Sequence, residues 1–156
     1  MAADRPMLSL DDAAGRLLAA APAHRITQSE TLSTFDALGR VLAQPVGSTL
    51  DVPPRDNTSM DGYAMRAADV PAAGTELPVS QRIPAGHVGD ALLPGTAARI
   101  FTGAQIPEGA DAVVMQEQCV ALDGARVRVD TVPASGQWVR RRGEDIEAGA
   151  TVLEAG

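Results

Sequence analysis

From Val46 to its end the chain is broken again and again by glycine or proline, and no apolar run between the breaks is long enough for an ordinary helix. Such punctuation allows short strands joined by tight turns and excludes a bundle of long helices. The runs that read as strands are Gly62–Arg66, Leu77–Ile83, Ala97–Phe101, Ala112–Gln118, Arg126–Val132 and Trp138–Arg140. Turn signals separate them, at Pro84-Ala-Gly86, Leu93-Pro-Gly95, Pro107-Glu-Gly109, Asp123-Gly124 and Ser135-Gly136. Asp123-Gly124 is the best hairpin signal, because glycine supplies the positive φ of a tight turn. The segment from Ala148 to Gly156 reads as a strand leading into a turn.

Before Val46 the texture is different. Leu10, Ala13, Ala14, Leu17, Leu18 and Ala21 recur at helical spacing, which predicts an amphipathic helix over Leu8–Ala21. Ser9 can cap it, with Asp12 three residues on, and Pro22 closes it. His24–Leu32 reads as extended. Thr34–Ala43 reads as a second helix, capped by Ser33 or Thr34, with Phe35, Leu38, Val41 and Leu42 on one face and Pro45 as its stop. Gly39 inside it costs about 1 kcal/mol relative to alanine. The expected fold class is therefore α+β and β-rich.

Composition narrows the function classes. With 13 basic against 20 acidic residues the net charge is −7, so phosphate backbones and anionic lipid surfaces are repelled and neither nucleic acid nor membrane is an expected partner. All the basic residues are arginine, which removes lysine chemistry such as a Schiff base or a P-loop. Cys119 is the single cysteine, so no internal disulfide and no cysteine-based zinc site can form, and the expected compartment is reducing and cytoplasmic. The apolar run at 17–23 contains Pro22 and is far short of the ~20 residues that span a bilayer. Asp11, Asp12 and Arg16 interrupt any signal-peptide core. His24 and His87 stand apart, with no metal or triad spacing.

Three segments can carry chemistry. Residues 51–61 hold Asp51 before, and Asp56, Asn57 and Asp61 behind, two prolines. Grouped carboxylates and an amide are the oxygen ligands that Mg²⁺ takes, although Asp56 and Asn57 can equally bond their own backbone in an Asx-turn. Ala98-Arg-Ile-Phe-Thr102-Gly103 ends a strand at a hydroxyl and a run of amides able to hold an oxyanion, or is an ordinary strand exit. Trp138-Val-Arg-Arg-Arg-Gly-Glu-Asp145 is the strong positive locus of an acidic chain. Arginine forks recognise phosphate and carboxylate, and strand alternation would put Arg140 and Arg142 on one face with Arg141 on the other. Glu144 and Asp145 are then metal ligands or merely salt partners. Trp138 can pack under this strand as a cation–π partner.

DVPPRDNTSMDGYAMR, RIFTGAQIPEGADAVVMQEQ and RRRGEDI, in this order and spacing, resemble the N-terminal part of the molybdopterin molybdenumtransferase family, the molybdate-insertion enzymes related to the gephyrin E-domain. The resemblance covers about Leu8 to Gly156. It implies a helical and extended first domain, here residues 1–45 and 143–156 and incomplete, flanking an inserted domain of short mixed strands over 46–142. The family's molybdopterin-binding and C-terminal barrel domains have no counterpart in these residues.

The resemblance also implies a reaction: molybdate is inserted into adenylylated molybdopterin with Mg²⁺, and AMP leaves. By position, Asp61, Thr102 and Asp145 match the family's catalytic motif residues, with Asp61 and Asp145 as possible metal ligands. Asn57, Arg140 and Arg142 are the matching candidates for substrate or anion binding. The family site is shared across a homodimer, which makes this chain half of a site and inactive alone, and a molybdopterin-adenylylating protein is the expected partner. The alternative expectation is a dimerisation or partner-binding scaffold without catalysis. A free-standing anion- or sugar-binding β-module is a third.

Overall fold

A computed structural model of the chain describes residues 7–156. The chain divides into two compact units, one ending at Ala43 and one running from Gln44 to Gly156.

The first unit contains helix α1, Leu10–Ala20, followed by a 3-10 turn at Ala21–His24 that takes in Pro22. Ser9 caps α1 as expected: its hydroxyl accepts from the Asp12 amide at 3.1 Å and donates to the Asp12 carboxylate at 2.6 Å. No residue of α1 is buried, and Leu10, Leu17 and Leu18 lie open to solvent. The second expected helix does not form. Only Thr34–Asp36 turn, as a single 3-10 turn capped by Ser33, and Gly39 takes a left-handed φ of 80° that ends any continuation. A helix of ten residues is marginal unless an apolar face is buried, and Phe35 and Leu38 are each 97% exposed.

The second unit is built on strands β1 Val46–Gly47, β2 Asn57–Thr58, β3 Gly62–Met65, β4 Thr75–Ile83, β5 Ala97–Ile100, β6 Ala112–Met115, β7 Cys119–Leu122, β8 Arg126–Val129, β9 Val139–Arg140 and β10 Thr151–Leu153. Six of them form one mixed sheet in the order β6-β3-β5-β4-β8-β7, antiparallel throughout except for the parallel pair β4–β5. The expected hairpin is present, as β7 and β8 are joined through residues 123–125 with Gly124 at φ 71°. The run expected as one strand at Ala112–Gln118 is instead β6 followed by a 3-10 turn at Gln116–Gln118, and β7 begins after it at Cys119.

Both faces of the central strands are covered, as alternation requires. Tyr63, Met65, Ala97 and Val114 pack with Val70, Leu77, Val127 and Val129 on one face. Ala64, Ala98, Ile100 and Val113 pack with Ile83, Leu92, Ala104 and Ile106 on the other. Gly62 lies between Ile100 of β5 and Met115 of β6, and a Cβ there would run into the backbone carbonyl of Val114. Only glycine lets the three strands close at this point. β2 pairs with β9, and β1 with β10, as two small antiparallel ribbons.

Candidate functional site

Strand β2 is two residues long, yet it stitches the three chemistry-bearing segments together. Its Asn57 and Thr58 pair with Arg140 and Val139 of β9. On its other side the Thr58 amide donates to Ala104 at 3.0 Å, and the Gly103 amide donates back to Thr58 at 2.8 Å. Thr58 is buried, and its hydroxyl closes a local turn with Met60. The expected Asx-turn at Asp56 is absent, because that carboxylate is taken by the arginine segment instead.

At one end of this assembly Asp61 leaves β2 for β3 and meets Thr102 just past β5. Oδ1 of Asp61 accepts from the Thr102 amide at 2.8 Å and from its hydroxyl at 2.7 Å. Those two bonds, with help from the charge of Arg99, hold the Asp61 carboxyl below its ordinary pKa against the opposing effect of partial burial. Oδ2 of Asp61 takes no hydrogen bond from the described residues. The carboxylate is thus fixed by one oxygen and open at the other.

At the other end the arginines are each committed to acids. Strand β9 stops at Arg140, and residues 141–143 turn, with Gly143 at φ 73° and its amide on the Pro53 carbonyl. The alternation expected across Arg140–Arg142 therefore does not continue. Arg140 reaches Asp145 at 2.5 Å and Glu144 at 3.7 Å. Arg141 holds Asp56 at 2.7 Å, and Arg142 holds Asp51 at 2.5 Å. The Arg142 amide also donates to Asp56, and the Ala148 amide to Asp51. Backbone N–H bonds first, then the guanidiniums, depress the pKa of Asp51 and Asp56. An open depression of about 280 Å³ sits here, lined by Arg55, Asp56, Gln105, Ile106, Glu108 and Arg142.

The structure thus brings Asp61 onto Thr102 and Asp145 onto Arg140, while no hydrogen bond or ion pair joins the two groups. Among the described residues no three acids, histidines or cysteines converge as a metal site. Asn57 lies between the groups on β2, with a buried Oδ1 that has no hydrogen-bond partner. Trp138 is more than a third exposed and takes no part in the cation–π contacts, which lie at Phe101 and Tyr63. Cys119, half-buried, has its thiol pushed up to about 11, first by burial, and is not poised as a nucleophile. No helix among the described residues is long and apolar enough to cross a membrane.

The MoeA N-terminal region (domain I and II) matches residues 8–156. The chain belongs to this family. Its curated relatives include the molybdopterin molybdenumtransferase of Nostoc sp. (strain PCC 7120), 44% identical over 96% of this chain and 36% of the relative. The protein of the same name from Haemophilus influenzae is 40% identical over 96% of this chain and 37% of its own. Among solved structures, the molybdopterin biosynthesis moeA protein from Pyrococcus horikoshii OT3 superposes with a TM-score of 0.79 at 38% identity, over 85% of this chain and 36% of that one. This MoeA N-terminal chain thus spans just over a third of the length of these relatives. The family match and the shared fold bear out both the resemblance read from the three motifs and the β-rich α+β class.

Proposed function

We propose that the chain supplies one wall of a molybdopterin molybdenumtransferase site, in which molybdate is inserted into adenylylated molybdopterin and AMP is released. The observation that carries this reading is Asp61: a carboxylate pinned through Oδ1 by an amide and a hydroxyl, with Oδ2 left open. Mg²⁺ commonly takes one or two carboxylates and fills its remaining positions with water and substrate phosphate. Asp61 fits that role, and Oδ1 of Asp145, which makes no bond among the described residues, is the second candidate. Bound there, the ion would neutralise charge building on the departing phosphate. Thr102 keeps Asp61 ionised and aimed. Arg140, held by Asp145, and Asn57, with its unpartnered Oδ1, are the flanking groups for an oxyanion and its donors.

In this reading, as the family resemblance implies, a second subunit supplies the pterin-holding wall, the working form is a homodimer, and this chain by itself is expected to turn nothing over. A molybdopterin-adenylylating protein is the expected supplier of substrate. The test is molybdate-dependent AMP release by a longer protein containing this region. Asp61→Asn lowers the rate by on the order of 10²-fold, as loss of a charge-stabilising group does. An unchanged rate in both Asp61→Asn and Asp145→Asn rejects the catalytic reading of these acids.

A scaffold role has one observation in its favour: Leu10, Leu17, Leu18, Phe35 and Leu38 of the first unit are all exposed. Light scattering on the chain tests it: a monomer at high concentration counts against it, and self-association that persists in a longer protein with no molybdate-dependent AMP release favours it.

A further inference from the structure

The cation whose charge acts on Asp61 makes no hydrogen bond or ion pair with it. Arg99 of β5 stands directly opposite Tyr63 of β3, and its guanidinium lies 5.3 Å from the Tyr63 ring and 4.3 Å from that of Phe101. Its Nη1 donates to two carbonyls at once, Gly62 at 2.7 Å and Ile100 at 2.9 Å. These are paired residues on adjacent strands, Gly62 directly after Asp61 and Ile100 two residues before Thr102. Nη2 donates to the Gln116 side chain at 2.6 Å, and the Gln116 amide in turn donates to the Asp61 carbonyl at 3.0 Å. A second arginine, Arg82, stacks on Phe101 at 4.4 Å and steadies the ring between Ile100 and Thr102.

Nothing in the folding of a β-sheet calls for this arrangement. The β3–β5 ladder already satisfies its own amides, and a carbonyl needs no second donor. Arg99 makes no ion pair with any carboxylate among the described residues. The acids in its surroundings are Asp61 itself and Glu117, which takes a bond from the Gln116 amide group at 3.2 Å. A planar fork serving three acceptors is a rigid device, and its charge is left for Asp61 to feel.

We propose that Arg99 is the positioning residue of the Asp61–Thr102 pair: one guanidinium ties together the strand ends that carry the carboxylate and the hydroxyl, and so fixes their separation and the direction of the open carboxylate oxygen. The catalytic half of this rests on the transferase reading above; the geometric half does not.

The experiment reads the Asp61 carboxyl-carbon and Thr102 amide resonances by NMR at one fixed neutral pH, on the chain and its Arg99→Met and Arg99→Lys variants. Arg99→Met is expected to shift both resonances and to weaken the protection of the Thr102 amide against hydrogen exchange. Arg99→Lys, which keeps the charge without the fork, leaves the Thr102 amide displaced. Asp61 and Thr102 resonances unmoved in a folded Arg99→Met chain overturn the proposal. Should that variant not fold, Gln116→Leu removes the acceptor that orients the fork and must shift both signals in the same direction; no shift overturns it equally. No substrate enters this readout, so failure of the transferase reading leaves it intact. In a longer protein that is active, Arg99→Met lowers kcat about tenfold or more with KM nearly constant, as misplacement of a reacting group does. A kcat equal to wild type overturns the catalytic half alone.

Discussion

Asp61 and Asp56 are both half-buried aspartates with depressed pKa values and two hydrogen bonds each from nearby residues, but they are held by different kinds of donor. Asp61 is gripped by a neutral amide and hydroxyl, so its negative charge stays unspent and one oxygen stays open. Asp56 is gripped on both oxygens, by an amide and by the guanidinium of Arg141, so its charge is cancelled where it stands. The difference separates two uses of a carboxylate within one protein. The first is kept for a cation or a reacting group, and the second is a clasp between segments 85 and 86 residues apart in sequence.

The largest way to break this contrast is through the backbone that sets it up. Gly62→Ala drives a Cβ into the Val114 carbonyl and is expected to destabilise the chain by about 3 kcal/mol. A urea midpoint equal to wild type would show that the β3–β6 contact is looser than described. The next effect is collective. Asp51, Asp56, Asp61 and Asp130 all have folded-state values below the ordinary 3.8. Their contribution is complete above the unfolded value and drains away as pH falls below it through the depressed folded values. Urea midpoints should therefore be flat from neutrality to about pH 5 and drop steeply below pH 4; a chain equally stable at pH 3 and pH 7 contradicts the depressed values.

Smaller effects sharpen the comparison. Asp56→Asn loses a charged clasp that solvent partly screens, for about 1 kcal/mol. Asp61→Asn should hardly move the urea midpoint, because amide oxygen can still accept from Thr102. A reversed order in the two midpoints would mean that the clasp is at Asp61. Smallest of all is the salt response. Raising ionic strength should weaken the Asp56→Asn difference by a few tenths of a kcal/mol, since the Arg141 pair is solvent-exposed.

Much of this was legible in the sequence. Short apolar runs between glycines and prolines located five strands of the six-stranded sheet, with edges shifted by a few residues, while β7 lies just past the run that ended at Gln118. Ser9 with Asp12 announced α1 because a cap is a local event. The second helix was misread because its apolar spacing is real while the partner that would stabilise it is not present in the described unit, and Gly39 settles the matter toward a turn. Strand β2 was invisible as a strand, as two residues show no periodicity, whereas its partner β9 lies within the run read at Trp138–Arg140. The pairing of Asp51 and Asp56 with Arg142 and Arg141 could not be read either, since nothing local links positions so distant. Asp61 and Thr102 each stood out as candidates in their own segments and the motif resemblance joined them, but their contact is a product of the β3–β5 register. Arg99 stood inside a quoted motif and passed unnoticed: its meaning lies in the carbonyls it faces, which no residue pattern displays.

The ribbon of β1 and β10 sets Val46 and Gly47 beside Leu153 and Thr151, so the polypeptide enters and leaves the sheet unit through neighbouring doorways. A unit threaded this way can be transplanted as a cassette, since a host loop needs only a narrow gap to receive both ends.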